Sequence, residues 1–195
     1  MSVGDAGLAR ALVQALGVGE VTESFDQHTA QVPLPEWVRA ATVARDELGC
    51  SMFDHLAVHD AGGPGGSGAS WEVTAHVVVP AGCRGLLVRT TVAVDGELPS
   101  ITGVWAGAAW HEREAAEMAG LEVTGHPDLR PLLLAPGAGL HPLRKDTVLA
   151  SRGVRPWPGR MEPGEGAAPT SAGRRRASAP GVPGQQWEQP GEEQQ

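Results

Sequence analysis

Three short clusters hold most of the side chains able to do chemistry. The first is His111-Glu112-Arg113-Glu114, followed by Glu117 and Gly120. The second is Gly125-His126-Pro127-Asp128-Leu129-Arg130. The third is His141-Pro142-Leu143-Arg144-Lys145-Asp146. Imidazoles and carboxylates are the usual ligands of zinc. On a helix, His111, Glu114 and Glu117 fall three apart and can share a face. The spacing of a zinc protease fails, because Ala115 stands where a second His is needed. His126 and His141 each precede a proline, in turn-like settings. A small metal-dependent enzyme built on these three histidines is therefore a minor reading. A nucleophile is weaker still: there is no Gly-x-Ser-x-Gly, and neither Cys50 nor Cys83 has a His close in sequence. Glu112, Glu114 and Glu117 can supply a raised-pKa carboxylate. The ordinary alternative is an i,i+4 ion pair between Arg113 and Glu117.

Recognition suits the clusters better. Charged pairs between Gly and Pro make rigid loops with donors and acceptors in fixed places. Arg130, Arg144 and Lys145 can each meet carboxylates or carbonyls on a neighbour. Leu129, Leu132, Leu133 and Leu134 add an apolar stripe, either core or interface.

The elements that must hold these loops are legible upstream. Leu8, Leu12, Ala15 and Leu16 have helical spacing within 6–16. Residues 18–25 read as a strand. Pro33-Leu34-Pro35 introduces a helix whose Trp37, Ala41, Ala44 and Leu48 recur every three or four residues, with Gly49 as a stop. Strands follow at 53–59, 71–79 and 86–94, the last two with clear alternation. Short connections make them an antiparallel meander. Asp60 to Gly68 can only be a loop, and its glycines lack the Lys-Ser/Thr ending of a phosphate loop. Ile101, Val104, Trp105 and Ala108 run into a further helix closed by Gly120. The expected fold class is α+β: a two-layer sandwich with helices on a mostly antiparallel sheet, then an extended irregular C-terminal segment.

Composition sets the limits. The chain has 195 residues, 27 of them Gly and 16 Pro, and a formal net charge of −8. An acidic chain is ill suited to sequence-independent nucleic-acid binding. No apolar run is long enough to span a bilayer, and residues 1–10 lack a signal pattern. These features point to a soluble, non-exported protein. Residues 1–150 are enough for one core. Residues 151–195 contain no Leu, Ile or Phe and are rich in Gly and Pro, so they read as a disordered tail.

The three clusters, in this order and spacing, resemble the C-subunit family of bacterial respiratory complex I, the NADH-quinone oxidoreductase. Further matches are Pro35-Glu36-Trp37-Val38, Arg45-Asp46-Glu47-Leu48 and Pro99-Ser100-Ile101-Thr102. The resemblance covers about residues 30–150. It implies a non-catalytic structural subunit of the peripheral arm, on the cytoplasmic face of the cell membrane. It implies no cofactor bound by this chain: NADH, FMN, iron–sulfur clusters and quinone belong to the wider complex. The implied partners are the hydrogenase-like large subunit (the D-type subunit) and neighbouring iron–sulfur subunits, with membrane contact only through the complex. Interface candidates are then His111, Glu112, Arg113, Glu114, Glu117, His126, Asp128, Arg130, His141, Arg144, Lys145 and Asp146. The sequence departs from the family pattern at Ala119, where an aromatic is usual, and at Pro131, where a second basic residue is common. These mark a divergent copy. An equivalent subunit of a membrane-bound hydrogenase or another quinone-reducing dehydrogenase shares the same motifs.

Overall fold

A computed structural model describes residues 5–62 and 70–147. The glycine run at 63–69 and the tail after residue 147 lie outside the described residues.

The first helix, α1 (Ala6–Leu16), buries Leu8, Ala9, Leu12 and Leu16 on one face. Asp5 caps it, its Oδ1 accepting from the Gly7 N–H at 2.7 Å. Gly17, at φ 73°, ends it in the left-handed conformation. Strands β1 (Glu20–Ser24) and β2 (Gln27–Gln31) form an antiparallel hairpin. A 3₁₀ turn at Leu34–Glu36 leads into α2 (Trp37–Asp46), which buries Trp37, Ala40, Ala41, Val43 and Ala44. The expected meander is present as β3 (Met52–Asp60), β4 (Ser70–Val79) and β5 (Arg84–Ala93).

The five strands run in the order β1-β2-β5-β4-β3. The β2–β5 pairing is parallel and the other three are antiparallel. Strand β2 was not expected. Its sequence, QHTAQ, has no apolar alternation, and only Thr29 and Ala30 are buried. Two further three-residue strands, β6 (Glu97–Pro99) and β7 (Glu122–Thr124), pair in parallel beside the main sheet. They bracket α3 (Ala108–Ala119). The helix starts later than the run from Ile101 suggests. Residues Ile101 to Gly107 form tight turns instead, with the Val104 and Trp105 N–H groups both donating to the Ile101 carbonyl.

Trp71, Val73, Ala75, Val77 and Val79 of β4 face inward, as do Leu86, Val88 and Val92 of β5. They form one core with α1, α2 and α3. Cys50 is buried and Cys83 exposed, and they do not form a disulfide. Burial pushes the Cys50 thiol up to about 11, against the pull of Arg84. No described helix is long and apolar enough to cross a membrane.

The β1–β2 turn is strained. Its central residues, Phe25 and Asp26, have φ values of 50° and 59°. Two-residue hairpins with positive φ at both positions favour Asn-Gly, since a Cβ crowds the backbone there. Phe25 is 97% exposed, so its ring recovers nothing by burial. Replacing Phe25-Asp26 by Asn-Gly should raise stability by about 1 kcal/mol. Chemical denaturation midpoints at unchanged slope would register it.

Candidate functional site

Helix α3 is the post to which the C-terminal segment is tied. Glu112 faces inward and is fully buried. Its Oε1 accepts from the Ile101 N–H at 2.7 Å and its Oε2 from the Ser100 hydroxyl at 2.5 Å. Burial raises its pKa, partly offset by those two donors. Ser100 also donates its N–H to the Thr124 carbonyl, so this carboxyl joins α3 to both short strands.

The expected Arg113–Glu117 ion pair gives way to separate attachments. Arg113 donates to the carbonyls of Arg130 and Pro131, at 2.7 and 3.0 Å through Nη2. Glu117 accepts three successive backbone N–H groups, from Leu132, Leu133 and Leu134, at 2.9, 2.6 and 3.0 Å. Each finds a better partner in a strap of irregular backbone, whose N–H and C=O groups have no ladder to satisfy them. Desolvation opposes the Glu117 charge, yet the amides of Leu133, Leu134 and Leu132 and the nearby Arg113 together hold its pKa below normal.

The histidines are committed to backbone as well. His126 accepts the Asp128 N–H at Nδ1, 3.0 Å away, so its proton sits on Nε2 and is donated to the Ala109 carbonyl at 3.0 Å. His141 donates from Nδ1 to the Glu117 carbonyl at 2.7 Å, and the Leu143 N–H donates to the Met118 carbonyl at 2.9 Å. These two bonds satisfy carbonyls that the last turn of α3 leaves without helical partners. His111 meets the Phe53 ring edge-on, with centroids 5.5 Å apart.

The basic residues read as candidate contacts to a neighbour are met within the chain. Arg130 chelates Asp128, with Nη2 to Oδ2 at 2.6 Å, and holds that carboxyl well below its usual pKa. Arg144 pairs with Asp146 at 2.8 Å and lies over the Trp71 ring, 5.8 Å from its centre. Lys145 donates its ammonium to the Gly62 carbonyl at 2.7 Å and its N–H to Asp60 at 3.0 Å. Glu114 lines a small cleft with Leu56, Val58 and Leu143.

The strap also turns apolar side chains outward. Leu129, Leu133, Leu140 and Leu143 are 42–57% exposed, and Trp110 is 66% exposed. Leu129, Pro131, Leu134 and Leu140 line a groove of about 360 Å³ along α3. Leu129 and Leu133 belong to the stripe recognised in the sequence. Leu140 and Leu143 escape the sequence reading because no periodicity marks a residue on irregular backbone as outward, whereas Trp110 sits on the exposed side of α3. Among the described residues, the ligand-type side chains that converge are Asp54, His55 and His76, not His111, His126 and His141.

The chain is thus an α+β sandwich carrying a strap of irregular backbone, anchored by polar side chains and with leucines exposed along it. Its sequence matches the model of a protein family, Respiratory-chain NADH dehydrogenase, 30 Kd subunit, over residues 30–153. The chain belongs to that family. It is 34% identical over 134 residues to the C subunit of NADH-quinone oxidoreductase from Mesorhizobium japonicum, covering 68% of this chain and 65% of that protein. It is 37% identical over 126 residues to the same subunit from Azorhizobium caulinodans, covering 65% and 59%. The chain thus spans just under two thirds of the length of these relatives. A solved structure, the membrane-bound sulfane sulfur reductase, an archaeal respiratory membrane complex, contains a chain of the same fold. The TM-score is 0.57 at 17% identity, covering 72% of this chain and 83% of that one.

Proposed function

We propose that this chain is a non-catalytic structural subunit in the peripheral arm of a proton-translocating NADH-quinone oxidoreductase. The family match across residues 30–153 carries this reading. In it, the flavin, the iron–sulfur clusters, NADH and quinone are held by other subunits. The chain's work is to present a rigid face to the hydrogenase-like large subunit and its cluster-bearing neighbours, on the cytoplasmic side of the membrane.

The strap supplies that face. Each loop residue fixed beforehand lowers the entropy lost on docking. Glu117, Arg113, His126 and His141 fix it from inside through backbone atoms. These four therefore act by positioning, and the exposed leucines and Trp110 make the contact. Large apolar anchors at the centre of an interface carry most of its energy.

The test is capture of the tagged full chain from native membranes in mild detergent, followed by mass spectrometry. The large subunit together with NADH-binding subunits is the expected result. The large subunit without them would indicate a different electron input, such as a hydrogenase or another dehydrogenase. A chain recovered alone would overturn the reading. Leu133→Asp should change thermal stability little, since surface substitutions usually stay within about 0.5 kcal/mol. It should reduce capture of the large subunit about tenfold or more.

A further inference from the structure

The outer face of the sheet carries a cluster unrelated to the strap. Strand β3 pairs with β4 so that Phe53 lies opposite Val77, yet His55 lies opposite His76. One residue, Asp54, is therefore extra: a β-bulge. In unbroken register Asp54 would oppose His76, and His55 would oppose Ala75 on the core face. The bulge instead turns Asp54 and His55 to the same side as His76. Bulges re-aim side chains in this way.

The result is a compact set of ligand atoms. Asp54 Oδ2 lies 2.7 Å from His76 Nδ1 and 3.2 Å from His55 Nδ1. One ligand atom from each of the three lies within 4.8 Å of the others. The imidazole rings are 5.5 Å apart and inclined by 37°. The His76 side chain is only 11% exposed, whereas those of Asp54 and His55 are 45% and 46% exposed. One ligand is thus held by packing, and two border solvent. On the same sheet, Arg89 opposes Thr74 and is already paired with Glu72 at 2.7 Å.

We propose that Asp54, His55 and His76 form a binding site for one zinc-class divalent cation. Zinc bonds to nitrogen and oxygen of about 2.0–2.1 Å place tetrahedral ligand atoms roughly 3.3–3.4 Å apart. The Asp54–His55 separation of 3.2 Å is already close to this, and the Asp54–His76 separation of 2.7 Å opens by roughly 0.6 Å as the proton between them gives way to the metal. Two imidazoles and one carboxylate select zinc, copper or nickel over magnesium and calcium, which favour all-oxygen sets. Three protein ligands leave the fourth position open to water or to a group from a docked neighbour. Binding locks the bulge, and with it the start of β3.

Zinc titration of the full-length chain by calorimetry, with cobalt(II) absorption as a second readout, tests this. The wild type should take up one equivalent with visible bands of tetrahedral cobalt. His55→Gln and Asp54→Asn, both on half-exposed side chains, should each weaken zinc binding by about tenfold or more. Circular dichroism should be unchanged, which separates loss of a ligand from loss of the fold. If zinc binds equally well to both variants, the ion sits on other histidines and the site is refuted. If the wild type takes up no zinc, it is refuted as well.

Discussion

Glu112→Ala should lower the stability of the chain by about 3 kcal/mol, a fall in melting temperature of roughly 6–12 °C for a domain of this size. The Ile101 N–H and the Ser100 hydroxyl both donate to this carboxyl inside the core. Alanine leaves the buried N–H without an acceptor, which costs about 1–3 kcal/mol, and opens a void where the side chain lay. Glu112→Gln should restore most of the loss, because its carbonyl takes the Ile101 N–H and its amide can donate to Ser100. The pH dependence separates the two. Burial raises the folded pKa of Glu112 above its unfolded value. The stability tied to its proton is complete below the unfolded value, near 4.3. It is lost as pH rises through the folded value. Glutamine has no such loss, so its melting temperature should gain on the wild type as pH rises above about 4.3. A flat difference would mean that Glu112 is not held against ionisation.

The pattern of the sequence carries the helices and the meander because each has a periodic apolar face. Leu8, Leu12 and Leu16 define α1, and alternation from Trp71 to Val79 defines β4. Strand β2 escapes because QHTAQ has no apolar alternation: it is held by backbone pairing, in a hairpin with β1 and in parallel with the distant β5. Strands β6 and β7 are too short to show a period. At the candidate site, the clusters of His, Arg and Glu are visible as clusters, but their direction is not. An Arg that grips its own strap and an Arg that waits for a partner have the same letter and spacing. Arg113 and Glu117 illustrate it: their i,i+4 spacing suggests a pair, while the backbone of residues 130–134 offers both a better mate. The bulge at Asp54 is hidden for the converse reason. One inserted residue shifts a strand's facing without altering its composition, so His55 and His76 acquire a shared face only in the paired sheet.

Gly120→Ala should cost about 2 kcal/mol, and its effect should depend on His141. Gly120 closes α3 at φ 72°, a conformation that a Cβ disfavours by about 1–2 kcal/mol. A Cβ here would also approach the His141 ring at 2.8 Å from Cδ2 and 3.0 Å from Cγ. That ring cannot simply retreat, because its Nδ1 donates to the Glu117 carbonyl and the chain two residues on donates to Met118. Moving it uncaps the helix and pulls the strap from the carboxylate that holds Leu132 to Leu134. In a His141→Ala background the steric part vanishes and only the backbone cost of about 1 kcal/mol should remain. Additive effects in that double-mutant cycle would show the glycine is needed for its φ alone. Non-additive effects, joined to weaker capture of the large subunit by Gly120→Ala, would tie the outward face of the leucines to the close approach of one histidine and one glycine.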